Sequence, residues 1–481
     1  MTLFRQSCLA ALSGLALSGS RFALTAVLAN RLSPQSFGEF VYSQWLVDIA
    51  FLICSFGASG AVSRYGAEYR SEPRLLSAFL IKWRPWAIGL PILSGGLVLM
   101  ISKFSGFNFD LSATIFLSIW AIASAGQAMQ TAALSGLQRF DLILYSNLLA
   151  GTILLLGALL LPINSDNTLA LYGLMAFSAF VASIFGINET LRCKVIGSVS
   201  DISATLTKSI LRYALNMWLV ALLWSLLWSR GELPVVKYFL GVTGVANYGA
   251  ALTIFGGAMQ GVMLGISAIA PQLTRLWGEG RNSEASMLAR NVTDTQLLVC
   301  GTVTLVLIYV GQEILAMVFG GKYQSQHIGL AVLSMGLIAL PLSTQNHLLQ
   351  ITTDGRFNRN TSLVGLLVLS GLAFFLIPTL GIIGAALARS STMLGLGCVT
   401  VYFSIRRWGS TAISVRNFIQ VIVLNVLSIT LMNFCFNLSF SYRVSIAILS
   451  ILIMCFSIND VNGKNLILKI LSKNIKIINK Y

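Results

Sequence analysis

The chain is 481 residues long, 56% hydrophobic and only 10% charged, with a formal net charge of +16. Ordinary globular domains carry about 25% charged residues, so a soluble fold is excluded and a polytopic membrane protein is indicated. Nucleic acid is not the expected partner of the positive charge, because the basic residues sort into alternating loops.

In chain order, about fourteen apolar segments are each long enough to cross a hydrocarbon core of about 30 Å as a helix. The first six are predicted at residues 8–29, 37–62, 86–101, 112–134, 142–161 and 168–187. Six more follow at 211–240, 246–270, 295–311, 329–351, 361–378 and 382–405, and a last pair at 418–436 and 444–458. The segment at 86–101 is short and is broken by Pro91. Arg5 followed by an apolar run resembles a signal peptide, but Arg21 interrupts the run and no small-residue cleavage site follows. An uncleaved first helix is expected.

One set of loops, with both termini, holds most of the arginines and lysines, among them Arg64, Arg70, Arg74, Lys82, Arg84, Arg139, Arg275, Arg281, Arg356, Arg406 and Arg407. The opposite loops hold only Arg31, Lys103, Lys237, Lys322 and Arg443. This bias places the basic side and both termini in the cytoplasm. The seven cysteines are scattered without a C-x-x-C pair, so neither a disulfide framework nor a zinc site is expected.

Two stretches about 210 residues apart resemble each other. The run from Leu32 and Ser33 through Phe37, Gly38 and Phe40, followed by Arg64 and Glu68, matches the run from Leu240 and Gly241 through Val245, Ala246 and Tyr248, followed by Arg275 and Glu279. Gln138-Arg139-Phe140-Asp141 likewise matches Gly355-Arg356-Phe357-Asn358, each ahead of an apolar run ending at Pro162 or Pro378. Six spans per half leave the halves facing the same way, so they are expected to form two parallel bundles about an axis along the membrane normal, with a central cavity. The expected division is an N-terminal bundle at 1–187, a cytoplasmic linker at 188–210, a C-terminal bundle at 211–407, an additional helix pair at 408–458 and a basic cytoplasmic tail at 459–481. That tail reads either as an interfacial amphipathic helix or as a frayed basic end.

Residues 314–407 resemble the polysaccharide-transport branch of the multidrug/oligosaccharidyl-lipid/polysaccharide exporter superfamily, which contains the Wzx-type O-antigen flippases. The resemblance is carried by Ile314-Leu315-Ala316-Met317-Val318-Phe319-Gly320-Gly321-Lys322-Tyr323, by Thr353-Asp354-Gly355-Arg356, and by the run from Ile377-Pro378 to Leu387-Ala388. Leu32 to Arg70, with Phe56-Gly57-Ala58-Ser59-Gly60, resembles the same family near the N-terminus. The resemblance implies an all-α integral membrane fold in a bacterial inner membrane. It also implies translocation of polyprenyl-pyrophosphate-linked oligosaccharide from the cytoplasmic to the periplasmic leaflet. Membrane lipids, a polysaccharide polymerase and a chain-length regulator are the further partners expected; no cofactor is, apart from proton or sodium coupling. Flipping of a peptidoglycan precursor and drug export share the architecture.

Ionisable residues inside spans face a cavity or each other because burying charge in hydrocarbon is costly. Here they are Arg21, Asp48, Arg230, Glu232 and Arg389. At about 1.5 Å per residue, Arg21 and Asp48 lie roughly 16 Å below one turn, and Arg230 holds nearly the matching place in the second half. One reading has Arg21, Arg230 and Arg389 lining the cavity and holding pyrophosphate through paired hydrogen bonds, with Trp228 stacking on sugar. The other has Arg21 with Asp48, and Arg230 with Glu232, as internal pairs that fix helix register. Asp48 and Glu232 are also candidates for ion coupling. A membrane glycosyltransferase or polymerase is the rival from another class. It is disfavoured by short loops, the absence of a G-x-x-x-x-G-K-[ST] loop, and only two histidines, His327 and His347, without an H-E-x-x-H motif.

Overall fold

The computed structural model describes residues 3–69, 72–104, 110–161, 168–192, 204–353, 356–409, 414–435 and 439–457, and every regular element among them is helical. The tail at 459–481 and residues 193–203 of the linker at 188–210 lie outside the described residues. In order, the helices are α1 (Leu3–Arg31), α2 (Pro34–Cys54), α3 (Ala58–Glu68), α4 (Pro73–Phe104), α5 (Leu111–Gly136), α6 (Phe140–Leu160), α7 (Thr168–Arg192) and α8 (Ala204–Ser225). Then come α9 (Leu233–Gly278), α10 (Asn282–Phe319), α11 (His327–Ser334), α12 (Ser343–Thr352), α13 (Arg356–Trp408), α14 (Val415–Cys435) and α15 (Phe440–Ser457).

Eleven helical stretches among the described residues are long and apolar enough to cross a membrane. Two of them, Leu206–Met263 with 58 residues and Arg356–Trp408 with 53, are twice the length of one crossing. They turn at Gly241 (φ 68°) and Gly381 (φ 60°), left-handed positions that a side chain would strain. With the shorter Phe440–Cys455 the fourteen expected crossings are accounted for.

The repeat is visible in local geometry. Where the first copy turns, the Ser33 hydroxyl accepts from the Ser36 backbone N–H at 3.2 Å and Pro34 opens α2, an N-cap followed by Pro at the first helical position. Where the second copy turns, Gly241 breaks α9. Downstream, Arg64 pairs with Glu68 (3.8 Å) and Arg275 with Glu279 (3.5 Å), the same one-turn ion pair in each copy.

Several predicted spans are differently cut. The span at 37–62 ends at Cys54, because Phe56 (φ 43°) and Gly57 (φ 72°) turn the chain before the short α3. The span at 86–101 is the end of a longer helix: α4 starts at Pro73 and runs for 32 residues through both Pro85 and Pro91. Its first turns are held by packing, with Ala78 and Phe79 buried against Tyr65, Tyr69 and Ile210. The span at 211–240 contains a π-helical turn, Leu226–Arg230, between α8 and α9. The span at 329–351 is α11, a 3₁₀ stretch (Met335–Leu342) and α12; Pro341, which lacks an N–H, sits in the tight stretch.

By contact the chain divides into two compact units. One comprises Met1–Thr253, Val318–Lys322 and Arg359–Ile382; the other comprises Ile254–Met317, Tyr323–Asn358 and Ile383–Tyr481. These boundaries follow packing and differ from those drawn from the repeat. In the first unit α5 packs on α4 and α7, α1 on α6, and α3 on α5 and α8. The α3–α5 crossing is close because Gly136 offers no side chain, where a Cβ would lie 2.8 Å from the Val62 carbonyl oxygen. Phe40, Trp120 and Tyr172 form a three-ring stack, and the Tyr172 hydroxyl meets that of Ser43 at 3.1 Å. In the second unit α14 lies against α15 and the 3₁₀ stretch, around a core that includes Tyr309, Met335, Phe418 and Met454. Arg443 ties the start of α15 to α10 through Glu313 and through Gln312 Oε1 at 3.1 Å.

Candidate functional site

Three helical elements of the first unit bring charge together inside the membrane spans. Arg21 comes from α1, Gln44 and Asp48 are one turn apart on α2, and Arg230 ends the π-helical turn. The Arg230 Nη1 donates to Gln44 Oε1 at 2.9 Å. Asp48 lies within Coulombic reach of both Arg21 and Arg230, and its side chain is exposed although Val47 and Ile49 beside it are buried. Arg21 forms no direct ion pair with Asp48, and its Nε is buried without a hydrogen-bond partner. Both arginines act on the one Asp48 carboxylate, and the buried Arg21 Nε is a donor that an acceptor can fill. A guanidinium in a site of reduced dielectric binds phosphate oxygens strongly for the same reason that it is costly to leave alone.

The π turn explains how Arg230 reaches this place. One extra residue in the turn rotates the side chains that follow, and such insertions recur at functional sites. Gly231 closes the turn, where a larger residue would run its Cβ into the Leu226 carbonyl. Gln44 escaped the sequence reading because it is uncharged. Its spacing of four residues from Asp48 was the available signal, since residues so spaced share a helix face.

The other predicted site residues make further contacts of their own. Glu232 is 1% exposed and accepts from the Tyr248 hydroxyl at 2.7 Å. Its role is internal to the start of α9, where its backbone carbonyl also accepts from Val235 and Val236. Trp228 is buried and stacked on Trp224, centroids 4.9 Å apart, so it offers no free face to a sugar in this conformation. Arg389 belongs to the second unit and is 1% exposed, its guanidinium carbon 5.4 Å from the centre of the Phe255 ring. That contact is a cation–π interaction away from solvent.

The family model of polysaccharide biosynthesis proteins matches residues 4–277, more than half of the chain. The chain belongs to this family. The matched region includes Arg21, Gln44, Asp48 and Arg230. The capsular polysaccharide biosynthesis protein CapF of Staphylococcus aureus is 25% identical over 174 residues, 36% of this chain and 42% of CapF. The match therefore spans less than half the length of that curated relative.

Among solved structures, an inward-facing multidrug resistance MATE family transporter of the MOP superfamily superposes with a TM-score of 0.67 at 14% identity, over 83% of this chain and 98% of that one. The lipid II flippase MurJ in an inward closed conformation gives a TM-score of 0.64 at 14% identity, over 92% and 97%. A MOP superfamily transporter from Pyrococcus furiosus gives 0.60 at 16%, over 85% and 95%. The fold of this multi-pass membrane protein is that of the MOP transporters.

Proposed function

We propose that the protein is a flippase that moves a polyprenyl-pyrophosphate-linked oligosaccharide from the cytoplasmic to the periplasmic leaflet of a bacterial inner membrane, for O-antigen or another surface polysaccharide. The observation that carries this reading is the convergence of Arg21 and Arg230 on Asp48 within membrane spans of a polysaccharide biosynthesis protein. The cargo's charge and sugars need a polar route, while its lipid tail is at ease in the bilayer; a half-buried cationic group beside an exposed carboxylate supplies that route. In this mechanism the repeat halves, residues 1–187 and 211–407, alternate in access, and the arginines attract the pyrophosphate when the group faces the cytoplasm. Asp48 is the carboxylate placed to take up a coupling proton or sodium ion as the phosphate departs. A polymerase and a chain-length regulator are the protein partners that such a cargo requires downstream.

The test is surface polysaccharide measured at equal protein level. Arg21→Gln and Arg230→Gln are each expected to lower it by on the order of tenfold or more, the worth of a charge-assisted hydrogen bond, with partial recovery in the Lys variants. Full activity in both Gln variants ends the proposal. In vesicles, imposed proton or sodium gradients are expected to change the flipping rate of the native protein but not of Asp48→Asn. A rate indifferent to both gradients removes the coupling step and leaves the phosphate site standing.

A further inference from the structure

A second positively charged feature lies outside this site, between α4 and α8 at the basic end of the first unit. A groove of about 210 Å³ is lined by Phe79, Lys82, Trp83, Trp86, Thr207 and Leu211. Its walls are apolar and aromatic: Phe79 and Trp83 meet edge to face at 5.8 Å, and Trp83 and Trp86 lie 6.0 Å apart. Trp86 is 46% exposed and Leu211 47%, so the groove opens on the outer surface of the helices and not into the packed core.

The polar component is Lys82. Its Nζ donates to Thr207 Oγ1 at 2.6 Å, across the two helices, and no carboxylate pairs with it among the described residues. Arg84, Lys208 and Arg212 are exposed on the same two helices. The described carboxylates nearby are Glu68, already paired with Arg64, and the exposed Glu72. A neutral hydroxyl satisfies one donor of an ammonium and leaves two, with a full positive charge at the mouth of an apolar slot.

We infer that the α4–α8 groove is a binding site for an anionic phospholipid of the membrane, with the phosphate on Lys82 and the upper acyl chain against Trp83, Trp86 and Leu211. Charge complementarity selects this occupant. Basic residues at a membrane surface attract anionic headgroups, and tryptophan rings sit at the headgroup level with their apolar edges toward the chains. A zwitterionic lipid would fill the slot equally well but would bring no net charge to Lys82 at its mouth. The bound lipid joins α4 to α8 across the Lys82–Thr207 contact. It lies against α8, the helix that leads into the π turn carrying Arg230.

The experiment is tryptophan quenching in vesicles made with either brominated phosphatidylglycerol or brominated phosphatidylcholine, using the full-length protein. Quenching of the native protein is expected to be greater with the phosphatidylglycerol, and the excess is expected to vanish in Trp83→Phe/Trp86→Phe. Lys82→Gln is expected to weaken the apparent phosphatidylglycerol affinity by about fivefold, with Lys82→Arg restoring it. If the double variant does not fold, Trp86→Phe alone, at an exposed position, removes part of the excess. Equal quenching by the two lipids marks an ordinary annular lipid and overturns the inference. So does an excess that survives loss of the groove tryptophans, or a Lys82→Gln variant with native affinity.

Discussion

At the residue scale, four side chains separate a charge group from its supports. Arg21 and Arg230 share Asp48, while Gln44 holds Arg230 in place. Gln44→Leu keeps the volume but takes away the acceptor, and it is expected to lower polysaccharide output at unchanged protein level; native output shows that Arg230 needs no positioning. Glu232 and Arg389 make the opposite prediction, because both are buried in internal contacts. Tyr248→Phe leaves the Glu232 carboxylate short of a donor and is expected to cost about 1–3 kcal/mol, read as a lower melting temperature of the purified protein. Arg389→Gln is expected to reduce the amount of protein while output per molecule stays native; a loss of output per molecule returns Arg389 to the cargo path. The sequence showed which residues were expensive to bury, but a list of charges contains no information on which of them meet.

At the element scale, the duplication supplies the logic of the turns. One copy opens its second helix with a serine cap and a proline, while the other turns at a glycine in the left-handed region. These devices carry different costs of replacement. Ser33→Ala removes the cap and is expected to cost about 1 kcal/mol. Gly241→Ala forces a Cβ into a left-handed conformation and is expected to cost about 1–2 kcal/mol, with no steric addition, since nothing lies within 4 Å of the added atom. Thermal unfolding in one detergent compares the two; an unchanged midpoint in Gly241→Ala means that the turn is not strained by a side chain. Hydropathy found the crossings but misjudged where helices stop. Pro91 reads as a breaker, yet α4 runs through it and through Pro85 because its first turns are packed. The π turn left no trace in hydropathy, since it changes the rotation of the helix and not its apolarity.

At the scale of the whole molecule, family membership and the MOP transporter fold are secured together by the matched residues 4–277 and by structural likeness over most of the chain. The charge bias adds an orientation. Reporter domains fused after residue 139 or 192 are expected to be active in the cytoplasm, and those fused after residue 322 outside it. The reverse pattern inverts the direction assigned to the cargo. The segment Val318–Lys322, which includes the last two residues of α10, belongs to the first unit although the rest of α10 lies in the second. Lys322 donates to the carbonyls of Asn30 (2.7 Å) and Leu32 (3.0 Å), and Asn30 donates to that of Val318 (2.9 Å).

Composition, the count of crossings, the internal repeat and the sidedness of the basic residues were determined by the sequence alone. Each is a sum over local terms, such as transfer energy along twenty residues or charge along a loop, and needs no knowledge of neighbours. The meeting of Arg21 with Arg230 around Asp48, the withdrawal of Trp228 and Arg389 into internal contacts, and the groove across α4 and α8 were decided only by the tertiary structure. Each depends on how a helix is rotated about its axis, and with about 3.6 residues per turn a single inserted residue, as in the π turn, swings a side chain from one neighbour to another.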